Sequence, residues 1–320
     1  MVDAHQALPG DSAHYTITLV NDAPQTTEFV VRDRIPENAT YIPGSATGGL
    51  FYVQENHELL GTVELKAEGM SIVTEALYGY IPLSQYTDPE PCPLGDCDEA
   101  AISLSGFDFY FYGKPVSDLV WSTNGFLRAG SEISNLSITN QNLPDSTAPN
   151  NLIAPLWADL DLNGCSLPGL TGAWYRLFAS VEDIPFYIFE WENAALKSDS
   201  TACFTFQVWI KTGTDEIWFV YGPQTSTIDT ATVGIENQDG SKGDTVYYNG
   251  TGSVPIEGSS LKVVRNDSQA TFTYDLLIDA NIGEDVINLV EATNTHTGTV
   301  MQASNIVQVG ERIYLPTVMR

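Results

Sequence analysis

Cys203-Phe-Thr-Phe-Gln-Val-Trp-Ile210 carries an alternating pattern, with Phe204, Phe206 and Val208 on one face, and Thr212-Gly-Thr-Asp215 turns it into Glu216-Ile-Trp-Phe-Val-Tyr221. A side-chain period of two, aromatic and β-branched enrichment and a short Gly-containing link define a β-hairpin. Outward from it the same grammar repeats. In Phe107-Asp-Phe-Tyr-Phe-Tyr-Gly113, the phenylalanines at 107, 109 and 111 share one face, and Asp108, Tyr110 and Tyr112 the other. Asn124-Gly125, Asp239-Gly240 and Asn249-Gly250 mark tight turns, because these residues tolerate the positive φ such turns require. Nothing of helical period competes with the strand pattern, so the chain is predicted to be all-β. Every Trp, from Trp121 to Trp218, falls in this middle region.

Further out, the two ends read as halves of one smaller β-sandwich. Tyr15-Thr-Ile-Thr-Leu19, Phe29-Val-Val-Arg-Asp33, Ile35-Pro-Glu-Asn-Ala-Thr-Tyr41 and Gly44-Ser-Ala-Thr-Gly48 supply its first strands. Thr271-Phe-Thr-Tyr274, Val286-Ile-Asn-Leu-Val-Glu-Ala-Thr293 and Ala303-Ser-Asn-Ile-Val307 supply those still lacking. Chains beyond roughly 250 residues tend to split into separate cores. The predicted organisation is therefore an outer immunoglobulin-like sandwich from residues 1–75 plus 266–310, a larger sandwich inserted at 76–265, and a tail at 311–320. Leu59–Leu65 and Gly69–Thr74 are assigned to the outer part, and Thr87-Asp-Pro-Glu-Pro-Cys-Pro93 to a rigid entry into the insert, since proline gives a ladder no donor. Two connections to the host suit an insert that is presented by its mount.

The chain carries 41 acidic against 13 basic residues, a net charge of −28. Such a surface repels nucleic-acid phosphates and anionic membranes, so neither is expected as a partner. No apolar run reaches the ~18 residues a membrane span needs. Met1-Val-Asp-Ala-His-Gln-Ala-Leu-Pro9 has neither the basic head nor the apolar core of a signal peptide, and Met1 is read as the start of a fragment. Cys92 and Cys97 bracket a turn-forming Pro-Leu-Gly-Asp and fit a small-loop disulfide, while Cys165 and Cys203 fit a bridge between neighbouring strands. A zinc site is the competing reading, disfavoured because the four histidines lie outside the central region. The sequons at Asn38, Asn135, Asn249 and Asn266 carry no weight in a chain this rich in Asn and Thr.

Two resemblances sharpen the picture. Pro9-Gly-Asp, Tyr15-Thr-Ile-Thr-Leu-Val-Asn21, Val31-Arg-Asp-Arg-Ile-Pro36 and Thr40-Tyr-Ile-Pro-Gly-Ser-Ala46, with Asn288-Leu-Val-Glu-Ala-Thr293 and Ala303-Ser-Asn-Ile-Val-Gln-Val309, resemble the bacterial surface-repeat family known as "domain of unknown function eleven". That resemblance implies an immunoglobulin-like stalk or spacer on a secreted or wall-attached protein. Phe107–Gly113, Trp121-Ser-Thr-Asn-Gly-Phe126, Ile153-Ala-Pro-Leu-Trp-Ala-Asp-Leu-Asp161, Phe189-Glu-Trp191, Phe204-Thr-Phe-Gln-Val208, Ile217–Tyr221 and Val233-Gly-Ile-Glu236 are similar in order and spacing to the nidogen-like extracellular β domain. This second resemblance implies an adhesive or matrix-type module, found also as an appendage of secreted proteases, and transfers no catalytic residue.

The sharpest chemical motif is Asp159-Leu-Asp-Leu-Asn-Gly164. Asp159, Asp161 and Asn163 stand at alternate positions before a Gly, like the first half of an EF-hand-type calcium loop. Leu167 and Leu170 then occupy ligand positions, and the same residues also read as a strand ending in a polar turn. Glu190 and Glu192 share a strand face as a glycosidase pair would, but that face reads as the solvent side of a sheet. His5, His14, His57 and His296 sit in no nucleophile motif, and no enzyme is expected. Tyr110, Tyr112, Trp209 and Trp218 are either core or a flat stacking surface for sugars. The tail Glu311-Arg-Ile-Tyr-Leu-Pro-Thr-Val-Met-Arg320 reads as a sorting signal, an added strand for a neighbouring subunit, or an edge strand of its own sandwich. The expected role is a non-catalytic extracellular module for adhesion or display at a bacterial surface or beside a secreted protease. A filament subunit assembling by strand addition and a glycan-binding module are the alternatives.

Overall fold

The computed structural model describes residues 6–310 apart from 22, 68, 96, 135, 137, 138 and 267. The tail at 311–320, with its three readings, lies outside the described residues. In chain order the outer strands are β1 (Gln6–Ala7), β2 (Ser12–Asn21), β3 (Thr27–Arg34), β4 (Ala39–Tyr41), β5 (Phe51–Val53) and β6 (Glu58–Leu65). Next come β7 (Met70–Thr74), β8 (Ala101–Phe111), β9 (Lys114–Ser122), β10 (Phe126–Ala129), β11 (Leu152–Trp157), β12 (Leu160–Asp161) and β13 (Ala173–Val181). Then follow β14 (Ile184–Leu196), β15 (Asp199–Lys211), β16 (Ile217–Gln224), β17 (Thr232–Glu236), β18 (Gly243–Tyr248), β19 (Thr251–Gly252) and β20 (Ser260–Arg265). The outer part resumes with β21 (Ser268–Ile278), β22 (Asp285–Asn294) and β23 (Val300–Val309). Among the described residues there is no α-helix, only short 3-10 turns at Leu83–Gln85 and Pro93–Gly95, and no helix long and apolar enough to cross a membrane.

The strands sort into two compact units, an inner one at Glu68–Asn266 and an outer one built from the chain on either side of it. In the outer unit a six-stranded sheet, β1-β23-β22-β3-β6-β5, faces a three-stranded one, β2-β21-β4. Pairing of β2 with β21 over ten residue pairs, Ser12↔Leu277 to Asn21↔Ser268, joins the two ends of the sequence directly. Phe29, Val31, Leu59, Phe272, Leu276, Val286 and Val307 fill the space between the sheets. The stretch 44–48, expected as a strand, is turn and coil, with Gly44 and Gly48 at positive φ.

The inner unit packs the sheet β19-β18-β17-β11-β10-β9-β8 against β12-β14-β15-β16-β20-β7, with β13 pairing the remaining length of β14. Between them Trp121, Trp174, Trp191, Phe189, Phe206 and Tyr221 are fully buried. Trp121 lies 4.5 Å from Trp174 and edge-on to Trp191, and Trp191 stacks on Phe206 at 4.9 Å between ring centroids. Each such ring removes 150–250 Å² from water, on the order of 4–6 kcal/mol at 25 cal/mol per Å². The Asn124-Gly125 turn has to be tight, because a Cβ on Gly125 (φ 78°) would sit 2.0 Å from the Leu156 carbonyl oxygen.

One boundary differs from the expectation. Met70–Thr74 was assigned to the outer sandwich, but β7 pairs with β20 in the inner sheet, from Met70↔Arg265 to Thr74↔Leu261. A five-residue strand with apolar residues on both faces carries no local mark of which sheet it joins; the partner strand, almost 190 residues away, decides.

A polar group is locked inside the outer core. The Tyr274 hydroxyl donates to Asp33 Oδ2 at 2.5 Å, Asn288 Nδ2 donates to the same oxygen at 3.0 Å, and Tyr15 stacks on Tyr274 with rings 2° from parallel. Burial pushes the Asp33 carboxyl up to about 6 despite these hydrogen bonds, and raises the Tyr15 phenol to about 12. The folded state thus holds the Asp33 proton more tightly than the unfolded chain does. Its stabilising share is complete below the ordinary carboxyl value of about 4 and is lost as the pH rises through about 6, a change of about 3 kcal/mol. Calorimetry should show the outer unit's unfolding midpoint falling between pH 4 and pH 7, and Asp33→Asn should flatten that fall; a midpoint that rises over the interval contradicts the assignment.

Candidate functional site

The segment Asp159–Gly164 does not close around a point. Asp161 is drawn to β14 by the pairing Asp161↔Ala195, and its Oδ2 accepts from Lys197 Nζ at 3.2 Å while its Oδ1 accepts the Asn163 N–H at 2.8 Å. Gly164 N–H closes the turn on the Asp161 carbonyl. Asp159 points elsewhere: one oxygen from each of Asp98, Glu99 and Asp159 falls within 4.8 Å of the others, a grouping able to hold a divalent cation. The structure therefore divides the expected ligands Asp159, Asp161 and Asn163 between two partners, and brings in Asp98 and Glu99, which the sequence reading missed. Their only sequence cue is adjacency to Cys97, so their proximity to Asp159 is purely tertiary.

Local chemistry explains how so many carboxylates coexist. Asn124, in the β9–β10 turn, donates its amide to Glu99 Oε2 at 3.2 Å and accepts the Leu160 N–H at 2.8 Å, tying the two segments together. Lys197 Nζ bridges Asp98 and Asp161, and both carboxylates hold its ammonium well above the ordinary lysine range. Burial first, then the negative neighbours, raises Glu99 and Asp159 above the usual carboxylate range. The nearby Cys92–Cys97 bridge and the Cys165–Cys203 bridge, with Cα atoms 5.2 and 5.9 Å apart, leave no free cysteine, which disposes of the zinc reading. Closing the longer loop stabilises by about 4 kcal/mol on the chain-entropy scale, against about 2 for the short one.

Glu190 overturns the solvent-face expectation for β14. It is fully buried, because residues 75–88 fold over that side of the sheet. Tyr80 donates its hydroxyl to Glu190 Oε1 at 2.6 Å and Leu83 its N–H to Oε2 at 2.8 Å; Gln207 Nε2 donates to the Ile81 carbonyl at 2.6 Å. Burial pushes the Glu190 carboxyl up to about 7 in spite of those donors. Both its oxygens are engaged in pinning the covering segment, while Glu192 remains half-buried at its margin, reached by Ser84 Oγ at 3.4 Å.

Three of the four aromatic residues settle on the side of packing, and Tyr110 is half-buried. Trp209 is fully buried, Trp218 is 5 % exposed beneath the Lys262 ammonium, and Tyr112 is 4 % exposed, so these rings form no flat outward platform. An aromatic surface does appear where none was expected. Phe178 on β13 is 61 % exposed and lies 5.1 Å from Tyr187, which meets Phe107 of β8 edge-on at 5.0 Å. Together with Arg176 and Gly106 they line a cleft of about 270 Å³. A larger hollow of about 460 Å³ beside Tyr112 and Asn237 has mixed walls, with Phe111, Val116 and Ala129 beside polar side chains, and Lys114 Nζ bound to Gln238 Oε1 at 2.8 Å.

A family model described as "NIDO related" matches residues 73–274, beginning inside β7 and ending inside β21. The match covers more than half of the chain, which belongs to this NIDO-related family. The middle of the chain is thus a nidogen-like domain with two disulfides. No curated protein matches the chain.

The carboxylate cluster yields a direct check. Replacing Lys197→Met leaves Asp98, Asp159 and Asp161 mutually repelling, so the inner unit's melting temperature should drop at pH 7. The drop should shrink toward pH 4 as Asp159 and Glu99, whose carboxyls are raised above the usual range, take up protons. An equal loss at both pH values would point to lost packing by the lysine stem instead.

Proposed function

We propose that the chain is a non-catalytic extracellular module, in which the outer sandwich serves as the mount for a nidogen-like domain engaged in adhesion or display at a bacterial cell surface, or beside the catalytic part of a secreted protein such as a protease. The observation that carries this reading is the family match over the inner unit, an insertion with all four cysteines paired. Paired cysteines favour an oxidising compartment. The strongly acidic surface favours solubility outside the cell and disfavours nucleic acid and anionic lipid as partners. The carboxylate that came nearest to a catalytic role, Glu190, has both oxygens committed to the segment that covers it. The expected partner is a protein or glycan of a surface or matrix, and burial of all the tryptophans favours a protein over a sugar.

The test is adhesion of beads bearing the oxidised chain to immobilised matrix proteins, intact cells and a glycan array. Saturable binding to protein or cells, abolished when the disulfides are reduced and alkylated, is expected. Binding confined to glycans would replace the reading with a lectin-like one, and beads indistinguishable from blank beads on every surface would end it.

A further inference from the structure

The core-facing row of β13 and β14 runs on past the sheet that covers it. Register pairs Trp174↔Trp191, Arg176↔Phe189 and Phe178↔Tyr187, so these side chains share the face that looks into the sandwich. Trp174 and Trp191 are fully buried, whereas Phe178, two pairs further along, is open to solvent. The opposing strand β8 breaks register between Ser105 and Phe109, with Gly106 at φ 93°, and leaves the cleft lined by Phe107, Phe178 and Tyr187. An apolar row that continues beyond its cover is an interaction surface in search of a lid.

The edge of β13 shows how such a lid would bind. Among the described residues β13 pairs only with β14. At its start an extended segment already lies against it: Glu90 N–H donates to the Trp174 carbonyl at 2.9 Å, Trp174 Nε1 returns a bond to the Glu90 carbonyl at 2.8 Å, and Arg176 Nε reaches Glu90 Oε1 at 2.6 Å. The Trp174 carbonyl therefore points away from β14. By antiparallel alternation the backbone groups of Arg176, Phe178 and Ser180 point the same way, and no described residue bonds to them. The two-residue turn Glu182-Asp183, both at positive φ (51° and 64°), then holds the far end of this edge in place.

We propose that this edge takes residues 311–320 of a second copy of the chain as an added strand, making the module self-assembling. The segment Glu311-Arg-Ile-Tyr-Leu-Pro-Thr-Val-Met-Arg320 is β-prone, and its Pro316 is tolerated only at the margin of a sheet. On an added strand, alternation would put Tyr314 on one face and Ile313 and Leu315 on the other, so that either set of apolar side chains meets one face of β13, the cleft of Phe178 or the side of Leu177 and Val181. Charge agrees. The chain holds 41 acidic and 13 basic residues, yet this segment carries Arg312 and Arg320 against Glu311 alone. Exposed Glu182 and Asp183 directly follow β13 at the end of the receiving edge. The inference is independent of the adhesion reading and adds to it a means of arraying the module.

Sedimentation of the full chain over a concentration series tests it, with free 311–320 peptide as competitor. Expected are concentration-dependent oligomers that excess peptide, but not a scrambled one, returns to monomer. Phe178→Lys should weaken association at least about tenfold, and Phe178→Tyr should retain it. Because Phe178 is exposed, the lysine variant should keep the wild-type tryptophan emission and melting temperature, which separates lost docking from lost folding. A chain monomeric at every concentration, or oligomers indifferent to both the peptide and Phe178→Lys, would overturn the proposal.

Discussion

The pairing of β7 with β20 is the constraint on which the rest of the architecture depends. It brings the first and last strands of the inner unit side by side, and Asn266 N–H reaches the Gly69 carbonyl at 2.9 Å just where the chain enters and leaves. An insertion whose ends are hydrogen-bonded to each other asks its host only for one point of interruption. Here that point lies between β6 and β21, and the outer sandwich still completes the ten-pair ladder between β2 and β21. The Arg265 guanidinium bound to Asp215 at 2.7 Å, and Lys262 shared by Glu75 and Glu216, add charge pairing along the same strands. With 13 basic residues in the whole chain, spending two of them here is a notable allocation.

Acidic side chains inside both units show what the fold tolerates. Asp33 in the outer core and Glu190 and Glu236 in the inner one are each fully buried, and desolvation raises all three toward neutrality. Among the described residues none has a cation as partner, and each is met by hydroxyl, amide or backbone donors. Glu236 Oε2, for example, accepts the Asp145 N–H at 2.9 Å. Such groups fix the segments that donate to them, residues 80–83 over β14 and residue 145 over β17, at the cost of stability as the pH rises.

Most of the strand positions were legible because they rest on local signals. The alternation at Phe107–Phe111 and Phe204–Val208, and the Asn-Gly and Asp-Gly turns at 124, 239 and 249, lie where the sequence places them. Both disulfide pairings were legible, one from a five-residue spacing, but the longer one ties Cys203 of β15 to Cys165 in the loop after β12 instead of joining two neighbouring strands. Three features were not. Met70–Thr74 looks the same in either sheet; Glu190 looks solvent-facing until residues 75–88 fold over it; and Asp98 and Glu99 meet Asp159 only through the Asn124 turn. Each depends on contacts between distant segments, which periodicity does not record. The exposed Phe178 was hidden similarly, since only the break in β8 uncovers it.

The central claim is that the inner unit is complete in itself, closed by its own two ends. Thermal unfolding of residues 68–266 expressed alone, followed by tryptophan emission and near-ultraviolet dichroism, tests it most directly, because all six tryptophans lie in this unit. The account predicts a cooperative transition with the same emission maximum and nearly the same midpoint as in the whole chain. Red-shifted emission with no cooperative transition would show that the outer strands are needed to hold the insert together, and would contradict it.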